Sequence, residues 1–573
     1  MTRLLIDGHD VVLPLDMTID YFRENPFFSR NGEYTYDIDI DLDCPQNRIL
    51  YASIDRQDVT KRLAGRQAVL LDGYRVIVKG TEVVLAVENK KAKIQIVAGN
   101  SELNYLSGGG KRLREMDLGE LSVTREQAYY DLSKIYPEAA CCCPPIYTSY
   151  NDTSQFKFDN QMDITSGSTV YQSDTYISPQ PYLLYVFDKV IQALGYIVTD
   201  NALLDEERWC RLFLVNGYRT TKLAEMLPDW SVDEFLTEME KFFNCVLIVN
   251  QGDKTVQILR TDGYYNSVDK VYIDKVLDEQ SKKDYDVSED LYISYRNVRY
   301  DFPSLERYKY QCLSEDVLKH CNFVDIDTHL DYMGLVQSNA CTIYHSLDYN
   351  LHFAGGKMVN RFAPISDGTD EDVVSLKVIP AEIFTGMTGA ANENTFVGLF
   401  TAPYARNMSS EDKTTEAVGF KELVTEGVPQ ADVPSNLYVA LYMGWQGIFV
   451  DSTEPTAQYQ DYQLPMSTVD VFNYGDYVHG VHTSFGVQKF RDSNMTLCLQ
   501  GENGLYEKFY KNNVKVNTRT EYTFKFLAET MMDTKAIFVI RNKEYYCKEL
   551  HNTVSTEKMD KVVEGTFYLV EKS

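Results

Sequence analysis

The sequence contains no run of 18 or more apolar residues, so it has no candidate for a transmembrane helix. Its opening segment, MTRLLIDGHD, lacks the long apolar stretch and the small-residue cleavage site of a secretory signal peptide. The 11 cysteines are an odd number, and no CxxC pair occurs among them. These absences predict a chain that folds in the cytoplasm with reduced thiols rather than a disulfide framework.

Basic residues are the minority charge, with 56 Lys and Arg against 84 Asp and Glu, which gives a net charge of −28. A protein that grips nucleic acid needs Lys and Arg patches for the phosphates, so this class is disfavoured. A protein past which nucleic acid slides is not excluded, because a wall of like sign repels a polyanion and prevents adhesion.

The common catalytic motifs are also absent, among them G-x-S-x-G, H-E-x-x-H and G-x-G-x-x-G. The segment Ser107–Lys111 is glycine-rich, but it lacks phosphate-loop spacing, and Arg112 occupies the position of the magnesium-binding Ser or Thr. Carboxylates are too numerous for any pair to be selected as the acid and base of a glycosidase. We therefore expect no enzymatic activity, no cofactor and no metal site. A polysaccharide-degrading enzyme is kept as an alternative.

The composition favours strands, because 42 of the 573 residues are Tyr. The length corresponds to three to five domains at about 150 residues each. The sequence predicts an α+β, β-rich multidomain protein. Its predicted parts are a β domain over 1–125, an extended connection over 126–175, an α+β domain over 176–290, a β-rich insertion over 291–485 and a second β domain over 486–573.

Two helices of the α+β domain have clear local signals. Apolar residues at helical spacing predict a helix over Tyr182–Leu194, and Gly195 follows as its C-terminal cap. Ser231 and Glu234 form an S-x-x-E capping box, which predicts the start of a second helix. Strands are expected after both helices.

Turn residues divide the segment 70–100 into short strands. We interpret Gly73, Gly80 and Gly99 as turn positions, and we expect Asn89-Lys90 to close a hairpin. The predicted domain over 1–125 is therefore built from short, locally connected strands.

The segment YTYDIDIDLD, residues 34–43, alternates apolar and acidic residues. One predicted face carries Tyr34, Tyr36, Ile38, Ile40 and Leu42, and the other carries Asp37, Asp39, Asp41 and Asp43. Carboxylates at every second position of a strand repel one another. Three interpretations stay open: a solvated outer face, a calcium site without EF-hand spacing, and a face that lines a wide aqueous channel.

Aromatic residues in the region 291–485 offer a second candidate site. Tyr438, Tyr442 and Trp445 lie close together in sequence, and such rings on a β scaffold can stack on sugars. The alternative is that these rings fill the core of the domain.

Three stretches resemble the tail-tip hub proteins of tailed phages and prophages of gut Bacteroidetes. The first is LLIDGHDVVLPLDMTIDYFRENPFFSRNGEYTYDIDIDLDCPQNRILY with IQIVAGNSELNYL. The second is PYLLYVFDKVIQALGYIV followed by SVDEFLTEMEKFFNCVLIVNQGDKTVQIL. The third is AIFVIRNKEYYCKELHNTVS with GTFYLVEK.

This resemblance implies a structural hub, a ring protein of the tail tip or baseplate. Residues 1–125 and 486–573 would supply two tail-tube-like β-barrel domains, and 291–485 would be an outward-facing insertion. The subunit would form a homotrimer that continues the tail tube, and the channel-lining candidates would face passing DNA.

The implied partners are the tail tube or distal tail protein, the tape-measure protein, and spike or fibre proteins. The implied location is the tail tip of the virion, assembled in the host cytoplasm. A receptor- or carbohydrate-binding tail adhesin is the alternative.

Overall fold

The structure is a computed structural model. It describes residues 1–59, 65–147, 158–165, 168–171, 177–217, 220–250, 252–266, 268–283, 295–301, 322–325, 342–345, 362, 364–366, 368, 373–381, 383–388, 397–403, 405, 436–448, 450–451, 462–469, 495–501, 503–512, 514 and 516–570. Much of the predicted insertion over 291–485 therefore lies outside the described residues.

Strands predominate in the described residues, which makes the chain a β-rich α+β protein as predicted. The first eight strands are β1 Thr2–Ile6, β2 His9–Val11, β3 Thr18–Glu24, β4 Glu33–Thr35, β5 Ile38–Asp41, β6 Arg66–Asp72, β7 Arg75–Glu88 and β8 Lys91–Ala98. The next ten are β9 Cys141–Cys142, β10 Ile146–Tyr147, β11 Phe158–Asp159, β12 Met162–Thr165, β13 Ser168–Tyr171, β14 Gln180–Pro181, β15 Ile197–Asn201, β16 Leu212–Leu214, β17 Cys245–Asn250 and β18 Thr255–Arg260.

The remaining strands lie C-terminal to the α+β region. They are β19 Lys270–Ile273, β20 Val276–Lys283, β21 Asn297–Tyr300, β22 Asn322–Asp325, β23 Thr342–His345, β24 Val373–Leu376, β25 Val378–Pro380, β26 Ile383–Thr388, β27 Val397–Pro403, β28 Leu437–Ile448, β29 Val450–Asp451, β30 Tyr462–Thr468, β31 Thr520–Leu527, β32 Ile537–Ile540, β33 Lys543–Ser555 and β34 Val562–Leu569. The α-helices are α1 Pro45–Leu50, α2 Asn100–Ser107, α3 Arg125–Tyr130, α4 Leu183–Ala193, α5 Glu207–Cys210 and α6 Val232–Phe243.

One sheet of 14 strands joins the two ends of the chain. Its main path is β2-β1-β6-β7-β8-β4-β3-β33-β34-β31-β20, with β5 paired to β8, and β19 paired to β32, which in turn pairs with β33. We call β1–β8 the N-terminal lobe, and β19, β20 and β31–β34 the C-terminal lobe. The antiparallel pair β3–β33, from Thr18 opposite Ser555 to Glu24 opposite Glu549, is the seam between them. Among the described strands the path ends at β2 and β20, so two closed barrels are not shown.

Each lobe encloses its own apolar core. Ile6, Ile40 and Ile94 are fully buried in the core of the N-terminal lobe. Phe526, Phe538 and other aromatic and aliphatic side chains fill the core of the C-terminal lobe. Two separate cores on one continuous sheet indicate two packing units joined edge to edge.

The turn residues behave as predicted with one exception. Asn89 and Lys90 both have positive φ and close the hairpin between β7 and β8. Gly80, which the sequence analysis interpreted as a turn, lies inside the long strand β7. A Cβ at Gly80 would stand 2.3 Å from the carbonyl oxygen of Val97 on β8. This glycine therefore permits close strand contact instead of a turn.

The α+β region contains both predicted helices. Helix α4 begins after Tyr182, and Gly195 follows its C-terminal end with a φ of +90°. The hydroxyl of Ser231 accepts a hydrogen bond from the backbone N–H of Glu234 at 3.1 Å, so the predicted N-terminal cap of α6 is confirmed. The helices pack beside the three-stranded sheet β15-β18-β17.

A buried carboxylate ties the N-terminal lobe to this region. Glu102 on α2 accepts hydrogen bonds from Lys254 Nζ at 2.6 Å, from the Tyr196 hydroxyl at 2.7 Å and from the Thr81 hydroxyl. Burial alone raises the pKa of the Glu102 carboxyl, but these three donors outweigh it and leave the pKa below its ordinary value. Glu102 is therefore held as an anion at the junction.

Candidate functional site

The predicted aspartate ladder lies on β5 and just beyond both of its ends. Ile38, Ile40 and Leu42 are buried in the lobe core, as the alternation predicts. The side chains of Asp37, Asp39 and Asp43 are 43%, 47% and 55% exposed, and Asp41 is exposed as well. All four aspartates therefore face solvent on one side of the sheet, which we call the outer face.

The predicted alternation fails at its N-terminal end. Thr35 is fully buried, whereas Tyr36 is 51% exposed. The backbone between β4 and β5 shifts register, because Tyr36 and Asp37 are consecutive exposed residues. Tyr34 and Tyr36 consequently do not share a face with Ile38, and this part of the sequence interpretation was wrong.

Lysines from the neighbouring strand pair with the ladder. Lys93 Nζ lies 3.4 Å from Asp37 and Lys91 Nζ lies 3.5 Å from Asp39. Asp43 contacts Lys90 Nζ at 2.9 Å, and Arg48 at 3.1 Å. The hydrogen bond from Lys90 is the main cause that lowers the pKa of the Asp43 carboxyl.

This pairing changes the electrostatic argument for the ladder. Four cations, Lys90, Lys91, Lys93 and Arg48, equal the four carboxylates in number. They contact Asp37, Asp39 and Asp43, and among the described residues Asp41 has no ion pair. The patch is locally neutral and does not present the wall of like sign that the sequence suggested. That this face lines a channel stays a prediction, and a surplus of negative charge on the face does not support it.

An aromatic cluster on the outer face crosses the seam between the lobes. The rings of Phe22 and His551 stack at 4.5 Å, and those of Phe22 and Tyr34 stack at 5.3 Å. The Tyr36 ring lies 4.5 Å from Phe22. The sequence analysis missed this cluster, because Phe22 and His551 become neighbours only through the β3–β33 pairing.

The three glycan-binding candidates differ in how deeply they are buried. Tyr442 is fully buried, and its hydroxyl donates to the carbonyl oxygen of Leu132 at 2.6 Å, so its ring is not accessible to a sugar. This corrects its assignment as a stacking surface. Tyr438 and Trp445 are partly buried and pack against the core. The Trp445 ring lies 6.0 Å from the ring of Tyr129, which is 49% exposed.

A cavity of about 600 Å³ lies where both lobes meet the α+β region. Its charged lining residues are Arg23, Lys79 and Lys535 together with Glu24, Glu33 and Asp533. Arg23 and Glu33 form an ion pair at 2.9 Å. The lining is balanced in charge and indicates no particular ligand.

The described cysteines are free thiols. Cys141, Cys142 and Cys143 are buried in the core that also holds α4 and α6. Burial raises the pKa of the Cys142 thiol, which keeps it protonated. In the part of the chain that is described, no group of three or more His, Cys, Asp or Glu could hold a metal ion.

None of the helices within the described ranges is both long enough and apolar enough to cross a bilayer. No family model and no curated protein matches the chain.

Two solved structures are similar at a coarse level. One is the 43 kDa tail protein of prophage MuSo2 from Shewanella oneidensis, with 7% identity and a TM-score of 0.31 over 99% of this chain and 96% of the other. The other is a tail protein from Neisseria meningitidis MC58, with 6% identity and a TM-score of 0.31 over 99% of this chain and 95% of the other. A TM-score of this size does not establish a common fold, so the proposals below do not depend on either similarity.

Proposed function

We propose that the chain is a structural hub protein of a phage tail tip or baseplate, with no enzymatic activity. The observation that carries the proposal is the β3–β33 seam. It places two β lobes with separate cores side by side in one sheet, although one comes from the start of the chain and the other mainly from its end. Two adjacent β units per subunit are what a trimer needs to form a ring with six similar units, as the sequence resemblance implies.

The lobes also have surfaces suited to assembly. Strand β20 ends the sheet path of the C-terminal lobe, and its residues are exposed over nearly the whole length. Leu277 on this strand is 48% exposed and Tyr272 on β19 is 67% exposed. In the N-terminal lobe, Tyr74 in the turn between β6 and β7 is fully exposed. The exposed edge strand and the exposed apolar side chains on both lobes favour contacts between subunits.

The proposal extends to the partners of the ring. The tail tube or distal tail protein would lie above it, the tape-measure protein inside it, and spike or fibre proteins below it. The subunits would assemble in the host cytoplasm and remain at the tail tip of the virion.

The mass of the purified protein in solution tests the hub proposal. We expect light scattering over a concentration series to find a stable species at three times the 65.8 kDa chain mass. Class averages of that species in electron micrographs should show a ring with a central channel. A compact trimer without a channel, or a monomer that also fails to join purified tail tubes, would contradict the proposal.

The aspartate ladder provides a second test, on the proposal that its face lines the channel. The combined change Asp37→Asn, Asp39→Asn, Asp41→Asn and Asp43→Asn would leave Lys90, Lys91 and Lys93 without their carboxylate partners. Arg48 would keep only its longer contact with Asp55, at 3.9 Å. Surface ion pairs contribute about 0–1 kcal/mol each, so folding and ring assembly should persist. Passing DNA should then adhere to the exposed cations, and DNA ejection should slow by about tenfold or more.

Its matched control changes the cations as well. With Lys90, Lys91, Lys93 and Arg48 also replaced by Gln, the face is uncharged and ejection should return to near the wild-type rate. Equal ejection rates for wild type and the four-Asn variant would show that the face does not meet DNA.

A second candidate function, a carbohydrate-binding tail adhesin, is favoured by one observation. Tyr129 on α3 is 49% exposed, and its ring lies 6.0 Å from that of the partly buried Trp445. An exposed ring supported by a second aromatic side chain suits stacking on a sugar. Binding of the purified chain to a glycan array would favour this candidate, and no binding at high protein concentration would count against it.

A further inference from the structure

The aromatic cluster at the seam has an acidic border. We define the seam patch as the rings of Phe22, Tyr34, Tyr36 and His551 together with the carboxylates of Asp20, Glu24 and Glu549. Both lobes contribute to it, and all seven side chains lie on the outer face of the sheet.

The rings of the patch are accessible from solvent. Tyr36 is 51% exposed, and the His551 side chain is 31% exposed. Phe22 lies between Tyr34 on one side and His551 on the other, with interplanar angles of 12° to each. An exposed, ordered group of aromatic rings on a sheet is unusual for a surface that contacts only water.

The carboxylates of the patch are arranged unfavourably when the chain is alone. Glu24 and Glu549 are direct cross-strand neighbours on β3 and β33. Like charges in this position destabilise a sheet. No Lys or Arg occupies an outward position of either strand along the seam. The outward residues are Thr18, Asp20, Phe22 and Glu24 on β3, and Glu549, His551, Thr553 and Ser555 on β33.

Hydrogen bonds orient these groups, and Lys548, which pairs with Glu521 at 2.6 Å, also attracts Glu549. The Tyr34 hydroxyl donates to Glu24 at 2.8 Å, and the Thr566 hydroxyl donates to Glu549 at 3.2 Å. Asp20 lies 3.1 Å from both His551 Nε2 and the Thr553 hydroxyl. By contrast, three of the four carboxylates of the aspartate ladder on the same face are in ion pairs with Lys or Arg.

We propose that the seam patch is a docking site for a cationic peptide segment, rich in Lys or Arg, of a partner protein. A cation between Glu24 and Glu549 would relieve their repulsion, and its aliphatic or guanidinium part would lie on the rings. A neutral sugar would use the rings but leave the repulsion in place, and DNA would meet three more negative charges. Charge complementarity therefore selects a basic segment. The proposal does not depend on the tail role.

Fluorescence anisotropy with two labelled octapeptides tests this site. The probe alternates Lys and Ser, and the negative probe alternates Glu and Ser. We expect the full-length chain to bind the Lys peptide in 50 mM salt, and to bind it about tenfold more weakly after Asp20→Asn with Glu549→Gln. The Glu peptide should not bind.

The matched control removes two exposed carboxylates elsewhere, through Glu88→Gln with Glu529→Gln. It changes the net charge equally and should leave affinity unchanged. Equal weakening by both double variants would show that the peptide only senses the overall charge, and would overturn the proposal.

A third variant, Tyr36→Ala, separates the patch from a purely electrostatic surface. Its side chain is half exposed, so folding should persist, and the affinity for the Lys peptide should fall about threefold or more. An unchanged affinity would show that the rings do not contribute to peptide binding. Binding of neutral oligosaccharides that Tyr36→Ala abolishes and salt does not weaken would instead assign the patch to a glycan.

Discussion

Replacing Asn25 by Asp is expected to lower the free energy of unfolding by about 4 kcal/mol, or to prevent folding of the two lobes as a unit. Asn25 is fully buried directly after β3. Its Nδ2 group, which has two hydrogens to donate, lies 2.9 Å from the carbonyl oxygen of Thr534, 2.8 Å from that of Cys547 and 3.0 Å from the Tyr265 hydroxyl. One amide thus connects the N-terminal lobe with the C-terminal lobe and the α+β region.

The chemistry of the amide explains the size of the effect. Its Oδ1 accepts from the backbone N–H of Phe27 at 3.0 Å and from the Tyr264 hydroxyl at 2.9 Å, so both ends of the side chain are used. An aspartate has the same shape, but it would direct a buried carboxylate oxygen at two carbonyl oxygens. Burying a charge without a partner costs more than losing the hydrogen bonds alone.

Measurements of amide hydrogen exchange and of the melting temperature test this prediction. The amides of β3 and β33 should exchange much faster in the Asn25→Asp variant, and the melting temperature should fall. Asn31→Asp is the matched control, because Asn31 is exposed and the expected change is within about 0.5 kcal/mol. Unchanged exchange at the seam in the Asn25 variant would mean that the amide does not hold the lobes together.

The elements that local periodicity predicts are present. Helices α4 and α6, the Ser231 cap and the Asn89-Lys90 hairpin depend on residues a few positions apart, and each is confirmed. The seam is different, because β3 and β33 are separated by more than 500 residues and no local pattern specifies their register. The contribution of β19 and β20 to the C-terminal lobe is equally non-local.

In the candidate site, too, features set by local sequence were predicted and features set by long-range packing were not. The exposure of the four aspartates follows from alternation on one strand and was predicted. The pairing of three of them with cations was missed. A usable signal was present, because Lys91 and Lys93 alternate outward on the strand next to β5. The seam patch and the burial of Tyr442 depend on long-range packing, which composition and spacing do not contain.

The second large effect is expected from Arg66→Met in the N-terminal lobe. Arg66 Nε lies 2.7 Å from Glu82, whose side chain is fully buried, and the guanidinium lies 4.5 Å from the centre of the Tyr51 ring. Removing the cation leaves a buried carboxylate without its charge partner. We expect the free energy of unfolding to fall by about 3–5 kcal/mol, measured by chemical denaturation. Arg56→Met removes an exposed pair with Asp58 and should cost less than about 1 kcal/mol.

Two further measurements connect this loss to the buried charge. The double variant Arg66→Met with Glu82→Gln should be more stable than Arg66→Met alone, because it no longer buries an unpaired carboxylate. In the single variant, the cost of burying this carboxylate without a cation applies only while the carboxylate is ionised. The destabilisation should therefore be largest at neutral pH and should shrink as the pH falls toward about 5. A loss that is independent of pH and is not rescued by Glu82→Gln would instead assign the effect to packing against Tyr51.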